Sequence, residues 1–187
     1  MRDIIRLVVV LTGICVACSF ALALVKKGTE DRIEYQKLKF IKEPAIKAVL
    51  PQYDNDPVLE RIKVNIGSQK TITVFPAKEA GKLIAVAYET VGTGYGGPIE
   101  IMLAIYVDGR IAGVKVMNCS ETPGLGRKIM TEVSFTEQFK NLNVESNFAV
   151  GSDVQGISGA TISSKGTAEA MREAVRLFPE LVKKLKS

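Results

Sequence analysis

The chain has 187 residues, 47% of them apolar and 24% charged, with a formal net charge of +5. That balance excludes a wholly disordered chain, and the mixed signs along it, without basic–aromatic interleaving, argue against a nucleic-acid partner. Histidine is absent from the sequence, which removes the commonest general base and the commonest metal ligand at once, and no metal site is expected.

Residues 1–6 form a short N-terminal flank. From Leu7 to Val25 runs a stretch of 19 residues without a charge, bounded by Arg6 and Lys26. At about 1.5 Å per residue it spans roughly 28 Å, close to the hydrocarbon thickness of a bilayer. A cleavable signal peptide has a shorter apolar region, about 7–15 residues, so residues 7–25 read as an uncleaved transmembrane helix in a lipid bilayer. Cys15 and Cys18 lie three apart inside it and share one helix face. They read as small packing residues or as a thiol pair facing another membrane subunit. Cys119 has no evident partner, and no disulfide is expected.

Residues 26–57 read as a helical connector. Thr29 to Leu50 carries Ile33, Leu38, Ile41, Ala45 and Val49 at helical spacing. Thr29 is placed to cap it and Pro44 to kink or split it. Pro51 to Pro57 links to a domain over residues 58–187. There the period changes to alternation: Arg61–Ile66, Thr71–Phe75, Leu83–Val91, Ile99–Val107 and Arg110–Met117 are expected strands. Asp108-Gly109 between the last two is a hairpin turn. Ser134–Leu142 reads as a short helix with Phe135 and Phe139 on one side. A longer helix starts just after Thr161, buries Ala168, Met171, Ala174 and Val175, and is expected to be interrupted at Pro179. The fold class is therefore α+β, an antiparallel sheet flanked by helices behind one transmembrane helix.

Three glycine-rich stretches carry the chemistry. Gly156-Ile157-Ser158-Gly159-Ala160-Thr161-Ile162-Ser163-Ser164 is a tight loop running into a helix start, where free N–H groups and the positive dipole end suit a phosphate. A serine- and threonine-rich helix start is equally what an ordinary cap looks like. Cys119-Ser120-Glu121-Thr122-Pro123-Gly124-Leu125-Gly126 follows the hairpin and makes a rigid turn with exposed backbone, or an ordinary connection. Gly92-Thr93-Gly94-Tyr95-Gly96-Gly97-Pro98 is a flexible loop, or one that lays Tyr95 and the Gly96 backbone against a flat ligand.

Ser158-Gly159-Ala160-Thr161 resembles the flavinylation motif of the FMN-binding domain shared by the G-type component of the Rnf complex and the C-type component of the sodium-translocating NADH:quinone reductase. Gly94-Tyr95-Gly96-Gly97-Pro98-Ile99, Asp108-Gly109-Arg110 and Glu121-Thr122-Pro123-Gly124-Leu125-Gly126 extend the resemblance in the family's order and spacing. It implies a covalent FMN, esterified through its phosphate to Thr161. It further implies a phosphate loop at Ser158, Gly159 and Ala160 with Ser163 behind it. The loop Glu121, Thr122, Pro123, Gly124, Leu125 and Gly126 then lies near the isoalloxazine, with Tyr95 and Gly96 opposite. The family motif carries an acidic residue where this chain has Gln155, and Asp153 stands out of register.

A threonine hydroxyl is a poor nucleophile and no histidine is present to activate it. The resemblance accordingly implies a separate flavin transferase using FAD as donor. It also implies partners of the Rnf A, B, C, D and E types, in an ion-translocating ferredoxin:NAD+ oxidoreductase of the cytoplasmic membrane. Local charge alone, Arg2 and Arg6 before the anchor against Lys26, Lys27, Arg32, Lys37, Lys39 and Lys42 after it, would keep the domain in the cytoplasm. Long domains cross regardless of such charge, and the resemblance implies an extracytoplasmic flavin. The alternatives are the related component of the quinone reductase, or an anchored flavin-binding sensory module without electron transfer.

Overall fold

The computed structural model describes residues 2–66 and 70–186, which divide into two compact units, Met1–Ile41 and Lys42–Ser187. The first is dominated by one helix, α1 (Arg2–Lys37). Its stretch Arg2–Glu30 is long and apolar enough to cross a membrane, and its Ile, Leu and Val side chains are exposed. A helix that is apolar all round, with no protein cover, is suited to lipid.

No new helix begins at Thr29, contrary to the expectation from sequence. The α1 ladder runs through it, and the Thr29 hydroxyl donates to the Val25 carbonyl at 2.8 Å instead of capping. Beyond α1 the chain passes through a π-helical turn, Leu38–Lys42, before α2 (Glu43–Val49). Pro44 stands in the first turn of α2, where its missing N–H costs no internal bond, so the helical run is split there as expected.

The second unit takes in residues 42–57, which the sequence pattern groups with the connector. The reason is burial: Ala45, Ile46 and Val49 of α2 are in the core. The sheet follows as β1 (Ile62–Ile66), β2 (Lys70–Glu79), β3 (Lys82–Thr93), β4 (Pro98–Tyr106) and β5 (Ile111–Cys119). All neighbours are antiparallel and the spatial order is the chain order, an open five-stranded meander. The β4–β5 hairpin closes at Asp108-Gly109, with Gly109 at φ +92° and Tyr106 N–H donating to Arg110 O at 2.8 Å. Beside the turn, the Arg110 backbone N–H and then its guanidinium hold the Asp108 carboxyl below the usual carboxylate range.

β2 is longer than expected and passes through Pro76. Its β1 partner reaches only to Val74, so Pro76 has no β1 residue opposite it and its lack of an N–H breaks no β1 pairing. Its carbonyl accepts from Asn55 Nδ2 at 3.0 Å.

Val86, Tyr88, Ile101, Leu103 and Ile105 face one side and join the main core with α5 (Thr161–Lys186). Their alternates Ala85, Ala87, Met102 and Ala104 are also buried, on the face where α2 packs across β4 and β5. α5 crosses β3, and the Tyr88 hydroxyl donates to the Ala174 carbonyl at 2.9 Å. Its stripe Ala168, Met171, Ala174 and Val175 is buried as expected.

Pro179 does not interrupt α5, contrary to the expectation from sequence: the helix continues to Lys186. Phe178 and Leu181 on either side of Pro179 are buried. Anchoring both against the sheet outweighs the lost backbone bond. The expected helix at 134–142 is α4 (Val133–Glu137) and a 3₁₀ turn (Gln138–Asn141), preceded by α3 (Lys128–Thr131). Phe135 meets Phe139 edge-on at 5.7 Å, and Phe139 stacks on Phe148 at 6.4 Å.

Candidate functional site

The site forms where three loops converge on the first turn of α5. The turn itself is set by a short network of backbone bonds. Ala160 N–H donates to Ile157 O and Ser164 N–H to Ala160 O, each at 2.9 Å. The buried Ser164 hydroxyl accepts from Ile157 N–H at 3.0 Å. Gly159 has φ +78°, which favours glycine, and an added Cβ would lie 3.2 Å from Leu125. Thr161 opens the helix and is solvent-exposed, where an intrahelical amide has no partner of its own.

Upstream, the side chain of Gln138 grips the loop at Gln155. Its Oε1 accepts from Gln155 N–H at 2.6 Å, and its Nε2 donates to Gln155 O at 3.1 Å and to Phe135 O at 2.9 Å. The loop is therefore tied to the phenylalanine cluster before it reaches Thr161.

The second loop turns between Thr122 and Arg127, with Leu125 N–H and Arg127 N–H both donating to Thr122 O at 3.2 Å and Gly124 at φ +77°. The third is the β3–β4 turn, closed by Gly94 N–H to Gly97 O at 2.8 Å. Glu121 joins all three. It is 5% exposed; its Oε1 accepts from Gly96 N–H at 3.1 Å and its Oε2 from the Ser163 hydroxyl at 2.8 Å. A Cβ on Gly94 or Gly126 would overlap the Glu121 carboxylate, so these glycines make room for it.

The approach of α5 to the sheet is equally close. A Cβ on Gly166 would strike the Thr93 carbonyl and one on Gly92 would lie 2.5 Å from the Gly166 oxygen. Helix and strand meet backbone to backbone, and this sets the level at which Thr161 emerges.

Between the loops lies a cleft of about 470 Å³ lined by Tyr95, Glu121, Thr122, Leu125, Gly126, Gly159, Ala160, Thr161, Ile162 and Ser163. Of the candidate residues, Gly96 reaches it only through its bond to Glu121. Pro123 and Gly124 lie at the tip of their turn and do not line it, and Ser158 faces a second, more polar cleft of about 700 Å³ with Gln138, Asp153 and Gln155. At the rim Tyr95, Leu125 and Ile162 are 76%, 51% and 54% exposed, an apolar mouth over a polar floor.

The donor set fits a phosphorylated, flat, aromatic ligand. The α5 N-terminus offers amides and a positive dipole to a phosphate, an exposed hydroxyl stands at its first residue, and the apolar rim suits a ring. The cleft volume is in the range of small-ligand sites. No cluster of metal-ligating residues occurs among the described residues.

Gln138 and Gly166 stand outside the glycine-rich stretches that the sequence singles out. Gly166 carried a signal, since glycine inside a helix is unfavourable without a packing reason. Gln138 carried none, because its partner is seventeen residues away.

Residues 94–176 match the FMN-binding domain family, and this span contains every candidate site residue. The chain is 34% identical to the G component of the ion-translocating oxidoreductase complex of Stutzerimonas stutzeri, over 87% of this chain and 75% of that one. It is 29% identical to the corresponding G component of Shewanella amazonensis, over 91% and 86%. Among solved structures, NqrC of Shewanella oneidensis is similar at 26% identity with a TM-score of 0.48, over 73% of this chain and 69% of that one. The chain thus belongs to the family of G-type components of ion-translocating oxidoreductase complexes, built on an FMN-binding domain behind one apolar helix.

Proposed function

We propose that the chain is the FMN-carrying electron-relay component of a membrane-bound, Rnf-type ion-translocating oxidoreductase, with FMN bonded through its phosphate to the Thr161 hydroxyl. The observation that carries this reading is the exposed Thr161 at the N-terminus of α5, on the floor of a cleft walled by the Tyr95, Glu121–Gly126 and Gly159–Ser163 segments.

When bound, FMN supplies the redox chemistry. The protein's residues do the rest. The Gly159–Ala160 turn and the first α5 amides hold the phosphate. Tyr95, Leu125 and Ile162 cover the ring, and Glu121 locks the loops around it. A phosphate tether keeps the cofactor in place through repeated cycles and leaves the ring unbonded.

Attachment requires a separate flavin transferase, since among the described residues lining the cleft the one carboxylate, Glu121, is engaged by Gly96 and Ser163 and is not free to act as a base on Thr161. The Gln138 clamp presents the loop in one conformation to that enzyme. α1, residues 7–25 in particular, anchors the chain in the cytoplasmic membrane beside the partners of A, B, C, D and E type. The flavin domain lies on the extracytoplasmic side.

The test is intact mass of the chain made with a flavin transferase. Wild type is expected to gain the mass of FMN less water, and Thr161→Ala to gain nothing while remaining folded. A wild type of unmodified mass, with no flavin fluorescence after denaturation, would overturn the covalent assignment. Flavin that never changes redox state during turnover of the assembled complex would overturn the relay.

A further inference from the structure

We infer that Glu121 supplies a fixed negative charge that lowers the reduction potential of the flavin, an inference that rests on FMN occupying the cleft at Thr161. A buried carboxylate in the wall of a ligand site is costly unless compensated. Here the compensation is limited. Each oxygen accepts one hydrogen bond, Oε1 from Gly96 N–H at 3.1 Å and Oε2 from Ser163 O–H at 2.8 Å. Two donors facing two oxygens is the arrangement of an ionised carboxylate, which is an acceptor only. No lysine or arginine pairs with it among the ion pairs of the described residues. Its charge is solvated by neutral dipoles and not cancelled.

Position makes that charge felt at the flavin. Glu121 lines the cleft, and its Oε2 is bonded to Ser163, two residues from the tether. A ring bonded through its phosphate to Thr161 and lying in this cleft stays beside it. Reduction of the isoalloxazine takes up two electrons, and the product is anionic when only one proton follows. A neighbouring negative charge in a poorly screened wall disfavours that gain of charge. Gly94 and Gly126 are the space in which the carboxylate fits, so the backbone is shaped around this group.

Glu121→Gln separates charge from scaffold. The amide oxygen still accepts from Gly96 and the amide nitrogen donates to the Ser163 hydroxyl, so the loops remain joined while the charge is gone. The full-length chain, loaded by a flavin transferase and held in detergent, is titrated with dithionite and dye mediators while flavin absorbance is followed. At the wild-type midpoint, Glu121→Gln is expected to show about tenfold more reduced over oxidised flavin, which is about 30 mV for a two-electron couple. Glu121→Asp keeps the charge and is expected to stay within about threefold of wild type.

A Glu121→Gln ratio within about threefold of wild type overturns the inference, and so does an equal rise in both variants, which is what loosened loops would produce. Should Glu121→Gln fail to load, Ser163→Ala decides. It strips one donor from the carboxylate and is expected to lower the ratio at least about threefold; an unchanged or raised ratio overturns the inference. A wild type without titratable flavin is a different failure, since it removes the cofactor assignment itself.

Discussion

Replacing Gly166 with alanine is expected to destabilise the protein, although the same change in an ordinary helix stabilises it. Alanine is favoured over glycine in a helix interior by about 0.8–1.0 kcal/mol. At Gly166, however, the added Cβ would overlap the Thr93 carbonyl oxygen and come within 2.8 Å of the Thr93 carbon. The obstacle is backbone of β3, which cannot swing aside as a long side chain can. Overpacking of this kind costs about 1–3 kcal/mol, and a backbone obstacle puts the cost at the upper end, near 3. The difference is a net loss of about 2 kcal/mol, or a fall of about 4–8 °C in melting temperature at roughly 2–4 °C per kcal/mol for a protein of this size.

The assay is thermal unfolding of the full chain in detergent, followed by circular dichroism, with Lys165→Ala as control. Lys165 is exposed on the same turn, and its replacement is expected within about 0.5 kcal/mol of wild type. Gly166→Ala also pushes on the Thr93–Gly94 backbone that leads into the Tyr95 turn, so flavin loading falls with stability. A Gly166→Ala protein as stable as wild type, or more so, would refute the backbone-to-backbone contact on which the level of Thr161 depends.

Gln138→Ala removes the grip on Gln155 and is expected to slow covalent flavin incorporation with a loss of about 1 kcal/mol in stability; a time course of flavin-gel fluorescence checks it, and an unchanged rate would show the loop needs no such clamp. Tyr88→Phe deletes the bond to Ala174 and is expected to cost about 0.5–1.5 kcal/mol in denaturant titration. Burial pushes the Tyr88 phenol well above its ordinary value. Its proton is therefore held more tightly in the folded state than in the unfolded one, so stability is level below about pH 10 and declines above it, where the unfolded phenol ionises first. That alkaline decline should be smaller in Tyr88→Phe. Phe139→Ala, which empties the centre of the Phe135–Phe139–Phe148 stack, is expected to cost about 3–5 kcal/mol.

Much of this protein is settled by local chemistry and was legible in the sequence. The uncharged run Leu7–Val25 declares a helix apolar on every side, because length and polarity alone decide that. Alternation named the strands, and Asp108-Gly109 named the hairpin, because a period of two and a positive φ at Gly109 are properties of neighbouring residues. The small-residue loop before Thr161 marked the start of α5 for the same reason: helix starts leave amides free for caps or ligands whatever the tertiary context.

The remainder depends on partners distant in the chain. Pro179 breaks a helix by local rules, yet α5 continues, because the burial of Phe178 and Leu181 against the sheet exceeds the cost of one backbone bond. Pro76 stays in β2 because its neighbour β1 has already ended. Thr29 looks like a cap and is not one, since the helix before it never stops. Only folding brings Glu121 to Gly96 and Ser163, Gln138 to Gln155, and Gly166 to Gly92. Those contacts join residues at least seventeen positions apart in the chain. Their energy comes from proximity, which no residue's own type or spacing encodes.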